Sequence, residues 1–311
     1  LSQEEYRAGI ASVGKSTDAL GSKFDQFAKG QAGQLKSTLS SVALQYVGVG
    51  AAVYGLQKIV GGAIDIVVEF DKKLANVSAL GGEYRDNIDA LGEAAKNIGP
   101  KFGVGAGKAR DSVEALAKAG VGASDILGGA LEGALTLAAS GELDAGQAAE
   151  YAASTMVQFG LAGKDVSHIA DLLSASANKA QGEVADFGNA LKFVGPVAAS
   201  MNVSLDETVG TLADFAQNGI LGEQAGTSLR GVLSSLTSPS KAATDELKAL
   251  GVVTEDGASK LFDAQGKFKG LANLAGVLQE ATKNLTQEER ANALGKIFGN
   301  QQLTAANILI K

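Results

Sequence analysis

The chain has no cysteine, no tryptophan, three prolines and one histidine in 311 residues. Without cysteine there can be no disulfide, thiol nucleophile, zinc–thiolate site or iron–sulfur cluster, and thiol usage says nothing about the redox compartment. The single histidine, His168, excludes zinc sites built on several His or Cys ligands and leaves any metal chemistry to carboxylates alone. Aromatics make up 5% of the residues, so a core has to be assembled from Ala, Leu, Val and Ile. Small side chains of that kind suit closely packed helices better than a sandwich or barrel. Basic charge is also scarce: 27 Lys and Arg against 34 Asp and Glu leave a net charge of −7. Such a surface offers no basic stripe for phosphate contacts and argues against sequence-specific nucleic-acid binding.

Glycine is abundant instead, with 41 residues, about twice the usual share of roughly 7%. With so little proline, this means many turns and few hard breaks. The length permits two ordinary domains and a sizeable core. Leu1 at the start and an apolar run ending at Lys311 make a piece of a longer protein the expectation.

Three regions differ in character. Residues 1–41 read as an amphipathic helical segment: Ser2 and Glu5 have capping-box spacing, and Leu20, Phe24 and Phe27 form one narrow stripe suited to a coiled-coil or bundle partner. Residues 42–69 are apolar; 42–56 carry no charge, and Gly48, Ala52 and Gly55 recur at a small-xxx-small spacing. A membrane-spanning helix needs about 20 mainly apolar residues. Lys58 and Asp65 stand inside this window, and each costs roughly 2.5–3.5 kcal/mol near a bilayer centre. A helix buried against partner chains is therefore the favoured reading, with membrane permeabilisation through residues 42–68 the alternative.

Residues 70–311 read as an all-α array of short helices. The predicted units are 71–80, 84–98, 106–119, 124–139, 145–160, 165–179, 183–199, 205–217, 223–236, 241–250, 271–283, 287–298 and 302–310. Ser204 with Glu207 and Thr286 with Glu289 have capping-box spacing, and Ser124 and Asp144 suit single N-caps. Stops are expected at Gly99-Pro100, Gly120, Gly160, Gly219 and Gly251. In 252–270, Val252-Val253-Thr254 and Lys267-Phe268-Lys269 flank two Gly turns, so a small β-hairpin fits, but an irregular loop is favoured. On the unit between Gly219 and Pro239, Arg230 stands among small and apolar residues and is expected to pin a neighbouring segment.

Little chemistry follows. His168 on a predicted helix lacks any readable triad partners. Gly103-Val104-Gly105-Ala106-Gly107-Lys108-Ala109 looks like a phosphate loop only superficially: Phe102 replaces the first glycine, Ala109 replaces the Ser/Thr, and a helix leads in. Glu142 with Asp144, Asp186 or Glu223 could be paired as glycosidase carboxylates, yet most acids here stand at helix starts or alternate with Lys. No catalytic, cofactor-binding or metal residue is assigned, and no enzymatic activity is expected.

An ordered series of short motifs does carry information. Phe70-Asp71 with Leu74 and Val77 is followed by Ala115-Leu116-Ala117-Lys118-Ala119-Gly120, Gln158-Phe159-Gly160-Leu161 and Ala170-Asp171-Leu172-Leu173. Phe193-Val194-Gly195-Pro196, Asn218-Gly219-Ile220, Ala225-Gly226-Thr227-Ser228-Leu229-Arg230, Pro239-Ser240, Leu250-Gly251-Val252 and Ile297-Phe298-Gly299 continue it. In order and spacing this series resembles the core domain of phage tail tape measure proteins, over residues 70–311, with 1–69 outside the matched core.

That resemblance implies a virion structural protein of a long-tailed bacteriophage. It would lie in the tail lumen, template tail-tube assembly, set tail length and leave during genome ejection, after a period in the host cytoplasm during assembly. Its implied partners are copies of itself, the tail tube protein, tail tip or baseplate proteins and tail assembly chaperones, with host membrane contact during ejection a further one. No cofactor is implied. An unbroken helix of this length would reach about 470 Å at 1.5 Å per residue, but the glycines argue for a packed region of a longer ruler.

Overall fold

Along residues 74–311, which the computed structural model describes, the chain reverses after most helices by one recurring device. A residue in the left-handed region ends the helix, and the apolar residue after it returns its amide to a carbonyl five residues back. The pairs are Gly103-Val104, Gly120-Val121, Glu142-Leu143, Gly160-Leu161, Asn202-Val203, Gly219-Ile220 and Gly251-Val252, with the return bonds 2.9–3.1 Å long. This is the Schellman closure, which satisfies an orphan carbonyl and tucks an apolar side chain under the helix end. Glycine suits the left-handed position because it has no Cβ to clash. Glu142 (φ 51°) and Asn202 (φ 60°) fill the same position with a side chain.

Between these closures lie the helices. After a helical stretch over 74–79 come α1 (Gly82–Asp86), α2 (Ile88–Ile98), α3 (Ala106–Lys118), α4 (Leu131–Ser140), α5 (Ala145–Phe159), α6 (Val166–Lys179) and α7 (Val184–Ser200). They are followed by α8 (Leu205–Gln217), α9 (Gly222–Thr237), α10 (Lys241–Ala249), α11 (Leu271–Thr282), α12 (Gln287–Phe298) and α13 (Leu303–Leu309). The helical expectation for 70–311 thus stands wherever residues are described. The readings for 1–69, including the 42–68 apolar run, lie outside the described residues. No helix among the described residues is long and apolar enough to cross a membrane.

Several local expectations need correction. The unit 84–98 is two helices, broken at Asn87 (φ −109°, ψ 13°). The unit 124–139 is a single turn at Ala123–Asp125 and a π-helical turn at Ile126–Ala130 leading into α4, because Gly129 leaves helical geometry at φ 134°. Ser124 lies inside that first turn, whose N-cap is Gly122. Gly99 stays right-handed and opens a 3₁₀ turn, and the left-handed residue is Gly103. In 252–270 the favoured irregular loop is what forms, and the alternative β-hairpin does not. Gly257 and Gly266, both at positive φ, each turn the chain locally, so Val253 bridges Ser259 and Phe262 bridges Phe268 as isolated antiparallel pairs.

Other caps are as expected. Asp144 accepts from the Gly146 amide at 2.9 Å, and Thr286 with Glu289 makes a complete capping box. Ser204 accepts from the Glu207 amide, but the Glu207 carboxylate reaches elsewhere, to the Ala272 amide at 2.9 Å.

Packing runs α3 on α5, α4 against α5 and α6, α5 on α7, and α7 on α9, with α8 against α6 and α7 and α10 against α12. The described core is continuous and rich in alanine, including Ala134, Ala148, Ala149, Ala152, Ala153 and Ala190, with Leu135, Leu191, Leu212, Phe215 and Leu229 filling the larger gaps.

Candidate functional site

Three of the motifs singled out from sequence meet in one place. Gln158–Leu161 closes α5, Phe193–Pro196 lies in α7 and Ala225–Arg230 lies in α9, and α7 packs on both of the other helices. The stack α5–α7–α9 depends on glycines where helices touch. A Cβ on Gly226 would stand 2.2 Å from the Ala190 carbonyl oxygen, so α9 lies directly on the α7 backbone. A Cβ on Gly188 would sit 2.6 Å from the Tyr151 ring, and one on Gly195 would sit 2.0 Å from Gln158 Oε1. Close approach of this kind raises contact density without large side chains.

Polar groups at the same seam hold the register. Tyr151, buried on Gly188, donates its hydroxyl to Asn189 Oδ1 at 3.0 Å and accepts from Gln147 Nε2 at 3.1 Å. Lys192 pairs with Glu150 at 2.9 Å, and its ammonium lies 4.9 Å from the Tyr151 ring centre. Pro196 lies inside α7 and removes one amide from its hydrogen-bond ladder.

Arg230 does not act as the expected pin. It is exposed and makes no hydrogen bond or ion pair among the described residues, because the buried stripe of α9 runs through Ala225, Gly226, Leu229, Val232, Leu233 and Leu236. Arg290 in α12 does reach a neighbouring segment: its Nη2 donates to the Thr282 carbonyl at the end of α11 at 3.4 Å. Nothing in its local sequence distinguishes Arg290 from other helix-surface arginines; only the placement of α12 against the end of α11 reveals it.

The remaining candidates separate into structural roles. His168 is exposed, with Nε2 3.1 Å from Asp206 Oδ1, joining α6 to α8. Glu142 forms the turn before α5, Asp144 caps α5, Asp186 accepts from the Glu183 amide at 2.9 Å at the start of α7, and Glu223 lies exposed in the first turn of α9. Gly103 and Gly105 connect a 3₁₀ turn to α3, and Lys108 points to solvent. Between α3 and α5 an open groove of about 420 Å³ is lined by Asp111, Glu114, Ala115, Lys118, Ala119, Gly146 and Glu150. Its Glu114 and Lys118 pair at 2.7 Å, and Glu150 is taken by Lys192. No three acidic or histidine side chains among the described residues converge as a metal-holding group. The Tyr84 hydroxyl, its pKa raised by burial and by neighbouring Glu83, donates to the Val121 carbonyl at 3.0 Å and ties α1 to the end of α3.

The arrangement offers close-packed helical surfaces and capped ends. Comparison with known proteins gives it a context. Residues 92–299 match the family described as phage-related minor tail protein, a span that contains the whole α5–α7–α9 stack. The chain is 32% identical over 289 residues to the tape measure protein of Pneumococcus phage Dp-1, covering 93% of this chain and 24% of that protein. It is 30% identical over 287 residues to the probable tape measure protein of Escherichia phage P2, covering 90% of this chain and 34% of that protein. It therefore spans about a quarter to a third of the length of these relatives. No solved structure matches it.

Proposed function

The chain belongs to the phage-related minor tail protein family, and from that membership we propose that it is a segment of a tail tape measure protein of a long-tailed bacteriophage. In this reading residues 70–311 form the helical core domain of the ruler, preceded by an amphipathic segment (1–41) and an apolar one (42–69). It works in the tail lumen as a structural component, templates the tail tube to a set length and leaves with genome ejection. The partners are further copies of the chain, the tail tube protein and the tip or baseplate proteins, with tail assembly chaperones engaged in the host cytoplasm. The role is mechanical and involves no turnover.

The observation that carries this reading is the α5–α7–α9 stack. Three family-like motifs meet there, with Gly226 lying on the Ala190 backbone and Gly195 on the Gln158 side chain, and none of them presents a reactive group. Alanine-rich helices bury little area each, about 0.8 kcal/mol per methylene-sized group, so the domain can be dense yet open one helix at a time.

An in-frame deletion of residues 74–311 from the phage's tape measure gene tests it. Tails are expected to fail to assemble or to form at aberrant length when measured by electron microscopy. Normal tails of unchanged length and full infectivity would refute it.

A further inference from the structure

Helix α11 is held at both ends by side chains from other helices. Its N-cap is Gly270, at φ 97°, with no side-chain cap of its own. The first-turn amide of Ala272 is instead taken at 2.9 Å by Glu207 Oε1, from the first turn of α8 and 65 residues earlier in the chain. Glycine is what lets the carboxylate come so close, since a Cβ at position 270 would lie 2.8 Å from Glu207 Oε1. At the other end the Thr282 carbonyl accepts from Arg290 Nη2 of α12 and from the Leu285 amide. A carboxylate at a helix N-terminus and a guanidinium at its C-terminus both meet the helix dipole favourably, so the two contacts complement α11 along its length. The chain leading into α11, 252–270, is neither helix nor strand; it carries two isolated bridges and is seated on the core by buried Val252, Leu261 and Phe268.

We propose that Glu207 is a latch that makes α11 conditional on α8: the helix holds its place while the carboxylate caps it and is the first element to lift when that contact is lost. The use of the latch, as the opening step when the domain unpacks for exit from the tail, rests on the tape measure reading, whereas the latch itself does not. Lifting α11 uncovers the apolar face formed by Leu271, Leu274 and Leu278, all buried in the closed domain. Asp206, the preceding residue in the same turn of α8, points elsewhere, to His168, and so provides a matched control.

Hydrogen exchange followed by mass spectrometry on the complete 311-residue chain tests this directly. Glu207→Ala is expected to speed exchange across residues 271–282 about tenfold, equivalent to about 1.4 kcal/mol, while α7 and α9 keep wild-type protection. Asp206→Ala, which removes the same charge from the same turn, is expected to leave 271–282 unchanged. Should Glu207→Ala fail to fold, Glu207→Met carries the test, because it keeps the length of the side chain while removing both acceptor oxygens, and must still loosen 271–282. Acceleration confined to α8, equal opening of α11 by Asp206→Ala, or unchanged exchange at 271–282 in Glu207→Met would overturn the proposal.

Discussion

Gly226 and Arg230 share one motif and have opposite roles. Gly226, which has no Cβ, lies against the Ala190 carbonyl, and Arg230 faces solvent. Replacing Gly226 with Ala forces a Cβ to within 2.2 Å of backbone, and overpacking of this kind costs about 1–3 kcal/mol. Arg230→Ala should change stability by less than about 0.5 kcal/mol, as surface changes do. Urea denaturation of both variants checks the contrast. The helical phase explains why an arginine was the wrong residue to single out: spacing of the buried positions at 225, 226, 229, 232, 233 and 236 leaves 230 off the stripe. Glu142 and Asn202 make the converse case, filling with a side chain the left-handed position that glycine fills in the other closures. Left-handed geometry costs an L-residue roughly 1–2 kcal/mol, less for Asn. Glu142→Gly should therefore raise stability by about 0.5–1 kcal/mol, and Asn202→Gly by less, with unchanged denaturant slopes.

Helix ends were the most legible elements where they are written locally, by a capping side chain before or a Gly–apolar pair after. Asp144, Thr286 with Glu289, Gly120, Gly160, Gly219 and Gly251 all act where the sequence places them. Breaks without such punctuation were not legible. Asn87 splits a periodic run, with its side chain donating to the Glu83 carbonyl at 2.8 Å, and Gly129 bends one at φ 134°, although Asn and Gly also occur inside unbroken helices here. Caps supplied from far along the chain were equally hidden, since Glu207 has the spacing of a local capping box and serves a helix 65 residues away. Within the box that does close locally, the Thr286 amide donates to Glu289 Oε2 at 2.8 Å and the Thr286 hydroxyl donates at 2.9 Å. These bonds lower the Glu289 carboxyl pKa. A carboxyl lowered on folding contributes stability above its unfolded value and loses it as pH falls through the folded one. Wild type should therefore exceed Glu289→Gln in urea midpoint at neutral pH, and the difference should close as pH falls below about 4.3, the usual glutamate value. A gap that persists or widens in acid would contradict the box as the source.

Across the described domain, family markers that look unrelated in sequence converge on the α5–α7–α9 stack, which only the fold could show. The composition already pointed to close helices through small side chains, and the alanine-rich core agrees with it. A domain of this make should unfold in the ordinary range of about 45–65 °C, with α11 losing exchange protection first. A melt above about 90 °C in a single highly cooperative step would argue against release by unpacking. Location in the tail remains the most direct test of the tape measure role. Val157 is 57% exposed, and Arg230 is exposed as well, so a photo-reactive amino acid at either position can report neighbours without disturbing the core. In intact particles irradiated before disruption, cross-links to the tail tube or tip proteins are predicted, together with resistance of the region to added protease. Links only to outer virion proteins, or digestion of the region in intact particles, would contradict it.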